Sequence, residues 1–267
     1  IRPHILEALG HLNPEPTPLS PLGIRIAPRE DGRVPYVQGE TAFIKGAIEV
    51  QDEGSQLVAQ MAGAKPGEQV LDLCAGAGGK TLALAAQMNN RGQIFATDND
   101  SRRLKNIHER LKRASARNVQ VRTPKGRAPD IAGLEGQMDL VLVDAPCTGT
   151  GTWRRNPDAK WRIRPGSLEQ RMKEQAEVLD VAARCVKPGG RLVYITCSLL
   201  DEENGAQVAA FLARHPAFSV RPPTEAARIA GIEKLADFTD VSGQGLLLSP
   251  ARTDTDGFFV SILEKPS

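Results

Sequence analysis

From about residue 55 onward the chain alternates between two hydrophobic rhythms. Short, dense apolar runs rich in β-branched residues predict strands at Gln69–Cys74, Gln93–Thr97, Val119–Val121 and Met138–Val143. A further run, Val193-Tyr194-Ile195-Thr196, follows a Lys187-Pro188-Gly189-Gly190 turn and ends on Cys197. Helical spacing fills the intervals at Gln56–Ala64, Thr81–Met88, Ser101–Ala116, Ser167–Val186 and Glu202–Arg214, the third capped by Asp100 or Ser101. Gly245–Ser249 and Gly257–Leu263 predict a terminal antiparallel hairpin. Strand–helix alternation implies an α/β fold with a mostly parallel, doubly wound sheet.

In such sheets ligands bind beyond the carboxyl ends of the strands. Four of these ends carry reactive side chains: Asp72 with Cys74, Asp98, Asp144 with Cys147, and Thr196 with Cys197. The convergence of acids and thiols on one edge is the first functional signal.

The start of the chain reads differently. It opens on Ile1, and seven of its 19 prolines fall within the first 35 residues, so NPEPTPLSPLG (13–23) predicts loop, not core. Two regions are expected: a small, incomplete N-terminal segment over 1–50, the remnant of an RNA-binding domain, and a catalytic domain over 51–267. A net charge of +2 leaves any nucleic-acid surface to local clustering. No apolar run approaches the roughly 18 residues of a membrane span. Four cysteines without a CxxC pair, and four histidines, do not suggest a disulfide scaffold or a structural zinc site. Free thiols, a cytoplasmic location, no metal and a monomer are the expectations.

LDLCAGAGGKT (71–81) joins a strand to a helix through glycines, where a ligand can approach the backbone. A phosphate loop of the form GxxxxGK[ST] fails at Cys74, and the dinucleotide form GxGxxG fails at Thr81. A glycine turn for S-adenosylmethionine remains, beside the alternative of a tight turn with no ligand. Asp98, 22 residues after Gly76 at the end of the next strand, can accept from both ribose hydroxyls of an adenosine-containing cofactor.

Asp144-Ala-Pro-Cys147 lacks the aromatic residue with which amino-directed base methyltransferases hold an exocyclic amine. A thiol suits C5 of cytosine instead. Thiolate addition at C6 pushes electron density onto C5, and loss of the C5 proton after methylation expels the enzyme. An ordinary cysteine is only a few per cent ionised at pH 7, so a nearby cation or proton acceptor must help. Cys185, inside a helix pattern, reads as a core thiol, and Cys74 as a backbone contributor to the cofactor turn. Cys147 and Cys197 both qualify as nucleophile, and spacing does not choose between them.

DAPCTGTG (144–151), RRNPD (154–158), KWR (160–162) and KPGGRLVYITCSLLDEEN (187–204) resemble the Sun/Nop-type RNA cytosine-5 methyltransferases. VQDEGSQLVA (50–59), LDLCAGAGGKT and DGFF (256–259) extend the resemblance over nearly everything after residue 50, most nearly to members acting on bacterial small-subunit ribosomal RNA. It implies a Rossmann-like, S-adenosylmethionine-dependent fold and methylation of a cytosine in RNA, ribosomal before transfer RNA. It also implies Cys197 as nucleophile, Cys147 as the residue assisting release of the adduct, and Asp144 near the cytosine ring. Cofactor contacts carry over to Cys74, Ala75, Gly76, Ala77, Gly78, Gly79, Lys80, Asp98 and Asp144. The family has proline where Ala77 stands, and an aspartate where Lys125 stands; Asp130 is the substitute candidate.

WRRNPDAKWRIR (153–164) holds both tryptophans and five basic residues. Aromatic faces stack on unpaired bases while cations hold phosphates, so Trp153, Arg154, Arg155, Lys160, Trp161 and Arg162 are the candidate RNA contacts. One of the tryptophans packed in the core, beneath a solvated loop, is the plainer alternative. The basic helix over 101–117 reads first as a solvated face and second as an RNA contact. A base reaching a strand-tip thiol must leave its stack. The function expected is RNA cytosine-5 methylation; the alternatives are an RNA-binding assembly factor with a degenerate fold and, less well matched, nucleotide hydrolysis.

Overall fold

The computed structural model describes residues 2–267 apart from Lys125 and Arg127. In the main sheet we number β1 (Gln69–Asp72), β2 (Gln93–Ala96), β3 (Val119–Val121), β4 (Met138–Asp144), β5 (Val186–Thr196), β6 (Ser219–Val220), β7 (Leu246–Leu248) and β8 (Phe258–Glu264). Their spatial order is β3-β2-β1-β4-β5-β8-β6, with β7 also on β8. The first five strands are parallel, and β8 runs antiparallel to β5, β6 and β7. The chain therefore winds outward from β1 in one direction, returns to β4, and winds outward in the other. The crevice at that reversal is where such sheets bind ligands.

The principal helices are α1 (Glu53–Met61), α2 (Gly79–Gln87), α3 (Ser101–Leu104), α4 (Ile107–Arg113), α5 (Ser167–Cys185) and α6 (Gly205–Arg214). Strand side chains alternate between two cores, as the two-residue period of a strand requires. Val70, Leu140, Leu142, Val193 and Ile195 pack against Leu57, Val58, Leu84 and Met88 of α1 and α2. Leu71, Val141, Val143, Leu192 and Tyr194 face Leu179, Ala182, Val208 and Phe211 of α5 and α6. Each fully buried aliphatic side chain stabilises this arrangement by about 1.5–3 kcal/mol before entropy is subtracted. Cys185 is buried in the second core, where desolvation raises its thiol to about 11. It is a packing residue.

Three elements differ from their sequence patterns. The Lys187–Gly190 turn is an excursion within β5: Met138 pairs with Val186, but Leu140 pairs with Arg191. The basic helix over 101–116 divides at Lys105-Asn106 into α3 and α4. The predicted helix at Glu202 begins instead as a single 3-10 turn, Asp201–Glu203, and only Gly205 opens α6.

The N-terminal segment comprises a helix (Arg2–Ala8), a two-residue antiparallel ribbon (Glu15–Pro16 with Ile24–Arg25) and a short helix (Thr41–Ile44). It is attached by charge as much as by packing. Buried Glu53 accepts from the backbone N–H groups of Leu19 (3.0 Å) and Ser20 (2.9 Å) and pairs with Arg25. No helix among the described residues is long and apolar enough to cross a membrane.

Candidate active site

The turn from β1 into α2 needs glycine for two different reasons. Gly76 and Gly78 both adopt positive φ (+51° and +85°), a region costly for other residues. A Cβ at Gly78 would also lie 2.4 Å from Ile107, so α4 closes directly over the turn. Arg110 on α4 donates to the Ala77 carbonyl (2.8 Å) and, with Arg113, pairs with Glu49. Arg113 further stacks on Phe43, 4.1 Å from the ring centre. Five of the seven basic residues over 101–117 are exposed, as a solvated face requires, but Arg110 and Arg113 turn inward and fix the glycine turn to the N-terminal segment.

Asp98 is buried at the end of β2, its oxygens accepting from the N–H groups of Gly76 and Asp100, both at 2.9 Å. Arg103 lies over it, 3.8 Å from Oδ2, and stays largely exposed on its outer side. Asp130 donates its N–H to Thr97 Oγ1 and pairs with Arg122 across 3.6 Å, which ties it to the β2 end beside Asp98. Lys125, at the position of the family's aspartate, falls outside the described residues.

Lys80 turns inward instead of serving only through its backbone. Its ammonium lies 2.7 Å from Asp144 Oδ2 and 5.1 Å from the centre of the Phe258 ring. Asp72 is fully buried beside it and accepts from Thr81 Oγ1 at 2.7 Å, its second oxygen having no partner among the described residues. Burial, reinforced by Asp144 and Asp98, raises its carboxyl to about 7. Desolvation likewise pushes Cys74 well above the usual thiol range. Asp72, Asp98 and Asp144 thus ring the glycine turn, with Lys80 against Asp144 and Arg103 against Asp98.

Next to this ring the two candidate cysteines meet. The segments after β4 and β5 run side by side, held by Ala145 N–H to Ile195 O and Gly151 N–H to Cys197 O. Cys147 Sγ and Cys197 Sγ are 3.3 Å apart. Hydrogen bonding from Cys147 lowers the Cys197 thiol below its ordinary value, with Lys80 contributing. Cys147 is driven the other way, first by its bond to Cys197 and then by burial. The structure brings both sequence candidates into one unit, a thiol pair in which hydrogen bonding favours charge on Cys197 over Cys147.

The basic segment after Cys147 splits in two. Trp153 is partly buried, its indole N–H without a partner among the described residues, and Arg154 and Arg155 turn back onto buried Asp256. Arg155 Nη2 lies 2.6 Å from Asp256 Oδ2, and Arg154 also reaches Asp52, the cap of α1. Asp52, Arg154, Arg155 and Asp256 therefore join three of the motif segments into one ionic network. Lys160, Trp161 and Arg162 instead occupy an exposed 3-10 turn (Pro157–Arg162). Trp161 is 81% exposed with Lys160 against its ring, while Arg162 pairs with Asp158.

Several residues of the site carried no assigned role in the sequence reading: Asp52, Thr148, Gln175, Glu203, Asn204 and Asp256. Their only signal was membership of the quoted motifs, and Gln175 lacked even that. Among the described residues no group of three or more His, Cys, Asp or Glu could hold a metal ion.

Parallel sheet, reversal point, glycine turn and strand-end acid together define the Rossmann-like fold of S-adenosylmethionine-dependent methyltransferases. Residues 59–264 match the family model described as 16S rRNA methyltransferase RsmB/F, and the chain belongs to that family. It is 37% identical over 254 residues to ribosomal RNA small subunit methyltransferase B of Photorhabdus laumondii, covering 95% of this chain and 54% of that protein. The crystal structure of PH0851 superposes with a TM-score of 0.85 at 35% identity, over 98% of this chain and 56% of that one. NSun6 from Pyrococcus horikoshii, solved with SFG, gives 0.70 at 26% identity, over 88% and 57%. The chain spans about half the length of the curated relatives it matches.

Proposed function

We propose that this chain methylates C5 of a cytosine in RNA, small-subunit ribosomal RNA first, using S-adenosylmethionine and a covalent adduct on Cys197. The observation that carries the proposal is the 3.3 Å approach of Cys147 and Cys197 beside the glycine turn. A pair in which one thiol donates to the other supplies a nucleophile and a proton-handling group at one point.

The residues present fit the cofactor: a glycine-lined turn that lets a ligand approach the backbone, and a buried carboxylate at the end of β2. Asp98 would take the ribose hydroxyls, Cys74–Lys80 the amino-acid end, and Asp144 the edge shared with the base. When bound, S-adenosylmethionine supplies an electrophilic methyl group.

Cys197, as thiolate, adds to C6 of a cytosine turned out of its stack, making C5 the nucleophile. Lys80 stabilises that thiolate while remaining anchored to Asp144. Once C5 carries the methyl group, a general base takes the C5 proton, the C5–C6 double bond re-forms and the Cys197 thiolate leaves C6; Cys147 assists this release. Trp161 and Lys160, exposed on their turn, offer a stacking face and a phosphate contact for neighbouring nucleotides. Residues 51–267 are the catalytic part in this reading. The segment over 1–50 is an RNA-binding element in this reading, held to the catalytic part through Glu49 and Glu53.

The test is transfer of a labelled methyl group to unmodified small-subunit ribosomal RNA, with the product base identified as 5-methylcytosine. Incorporation at C5 supports the proposal. Retained RNA binding without incorporation would overturn it in favour of an assembly factor.

A further inference from the structure

Glu203 and Asn204 are consecutive residues, yet each grips a different cysteine segment. Glu203 is fully buried at the end of the 3-10 turn that follows β5. Its carboxylate accepts from Thr148 N–H (2.8 Å), from Thr148 Oγ1 (2.5 Å) and from Gln175 Nε2 (3.0 Å). Thr148 is the residue next to Cys147, and the same Gln175 amide also donates to the Pro146 carbonyl (3.0 Å). Both backbone neighbours of Cys147 are thus fixed by this one cluster. Asn204 turns the opposite way. It accepts from Thr196 Oγ1 (2.5 Å) and donates to the Ser198 carbonyl (3.0 Å), the two residues flanking Cys197. Tyr194 OH, donating to the Glu203 carbonyl at 2.6 Å, locks the dipeptide onto β5.

The Glu203 carboxylate has donors but no cation among its described partners. A buried charge of that kind is not neutralised locally, so its field acts on whatever titrates beside it. We propose that Glu203 and Asn204 are positioning residues: together they set the distance between the two thiols, and the Glu203 charge keeps the shared proton on Cys147. Cys197 then holds the negative charge and is the one that attacks. The inference rests on the reading of Cys197 as nucleophile and adds what decides between two otherwise similar cysteines. The other groups facing the pair are consistent with this polarity. Lys80 favours the charged form of Cys197, and Glu203 disfavours charge on Cys147. Asp144 opposes the polarity, and its pairing with Lys80 blunts that effect.

The test uses the full chain without RNA, so it is independent of whether methyl transfer occurs. The rates of Cys197 and Cys147 alkylation by iodoacetamide are followed by peptide mass spectrometry from pH 6 to 10. The wild type should modify Cys197 first. Glu203→Gln keeps the shape but removes the charge, and the Cys197-to-Cys147 ratio should fall by roughly tenfold, equivalent to one unit of relative acidity. Glu203→Asp should restore most of it. Thr148→Val removes a donor while leaving the charge, so the ratio should hold or rise. Loosening of the loop alone would lower the ratio in both Glu203→Gln and Thr148→Val, and that result overturns the proposal. So does an unchanged ratio in Glu203→Gln. If Glu203→Gln does not fold, the Thr148→Val profile decides alone: a lowered ratio contradicts the assignment.

Discussion

Cys147 Sγ meets Cys197 Sγ at 3.3 Å although fifty residues separate them in the chain. Parallel pairing of β4 with β5 explains the meeting, because Asp144 stands opposite Ile195 and both segments leave the sheet at the same edge. A reaction that needs one attacking sulfur and one proton-handling group finds both there.

Lys80 is the cation that makes this edge workable. Lys80→Met should raise the pH at which Cys197 alkylation reaches half its maximal rate, by up to about one unit, because an ammonium that favours the thiolate is lost. The same substitution leaves partly exposed Asp144 without its partner. It should lower stability by about 1–3 kcal/mol, less than a fully buried pair would cost. Chemical denaturation checks the second effect and the alkylation profile the first.

Asp72 should make stability fall as pH rises. Its folded carboxyl titrates near 7, against an ordinary value of 3.8, so the folded state retains a proton that the unfolded chain releases. Between about pH 4 and 7 each unit of pH therefore costs up to about 1.4 kcal/mol, and the loss levels off above 7. Asp72→Asn should flatten that slope and raise the melting temperature at pH 8 more than at pH 5. Thermal melts at the two pH values read the difference directly.

Gly151 and Gly257 bring two backbones into contact, which joins the loop after Cys147 to the start of β8. A Cβ on Gly151 would lie 2.3 Å from the Gly257 carbonyl oxygen, with no flexible side chain to yield. Gly151→Ala should cost about 1–3 kcal/mol and displace the loop, reducing methyl transfer as well as stability. Gly10→Ala, where an added Cβ meets nothing within 4 Å, should be neutral and serves as the control.

The sheet was legible because buried parallel strands leave short apolar runs: most ends fell within about two residues, but the strand ending at Thr196 begins at Val186 and Ser219–Val220 left no such run. The strand-end acids and thiols were legible for the same reason, since parallel pairing places the carboxyl ends of the first five strands on one edge. What was not legible depended on partners distant in sequence. The helix over 101–116 carries seven basic residues up to Arg117 and so looked solvated, but Glu49 lies in a different segment and draws Arg110 and Arg113 inward. Glu203 was hidden by its neighbours. Acidic residues just before a helix ordinarily favour its N-terminal dipole, and nothing local marks one of them as buried against Thr148 and Gln175. Arg154 and Arg155 resembled free phosphate ligands because Asp256, their partner, lies about a hundred residues away.

The central claim is that Cys197 attacks and Cys147 releases. The most direct measurement is covalent trapping on small-subunit ribosomal RNA carrying 5-fluorocytidine at the target site, resolved by denaturing electrophoresis with S-adenosylmethionine present. Fluorine at C5 blocks the proton loss that frees the enzyme, so the adduct accumulates. Cys197→Ala should abolish the band and lower methyl transfer to ordinary RNA by more than roughly a thousandfold, about 4 kcal/mol of barrier. Cys147→Ala should still form the band. A band that survives Cys197→Ala and disappears in Cys147→Ala would contradict the account.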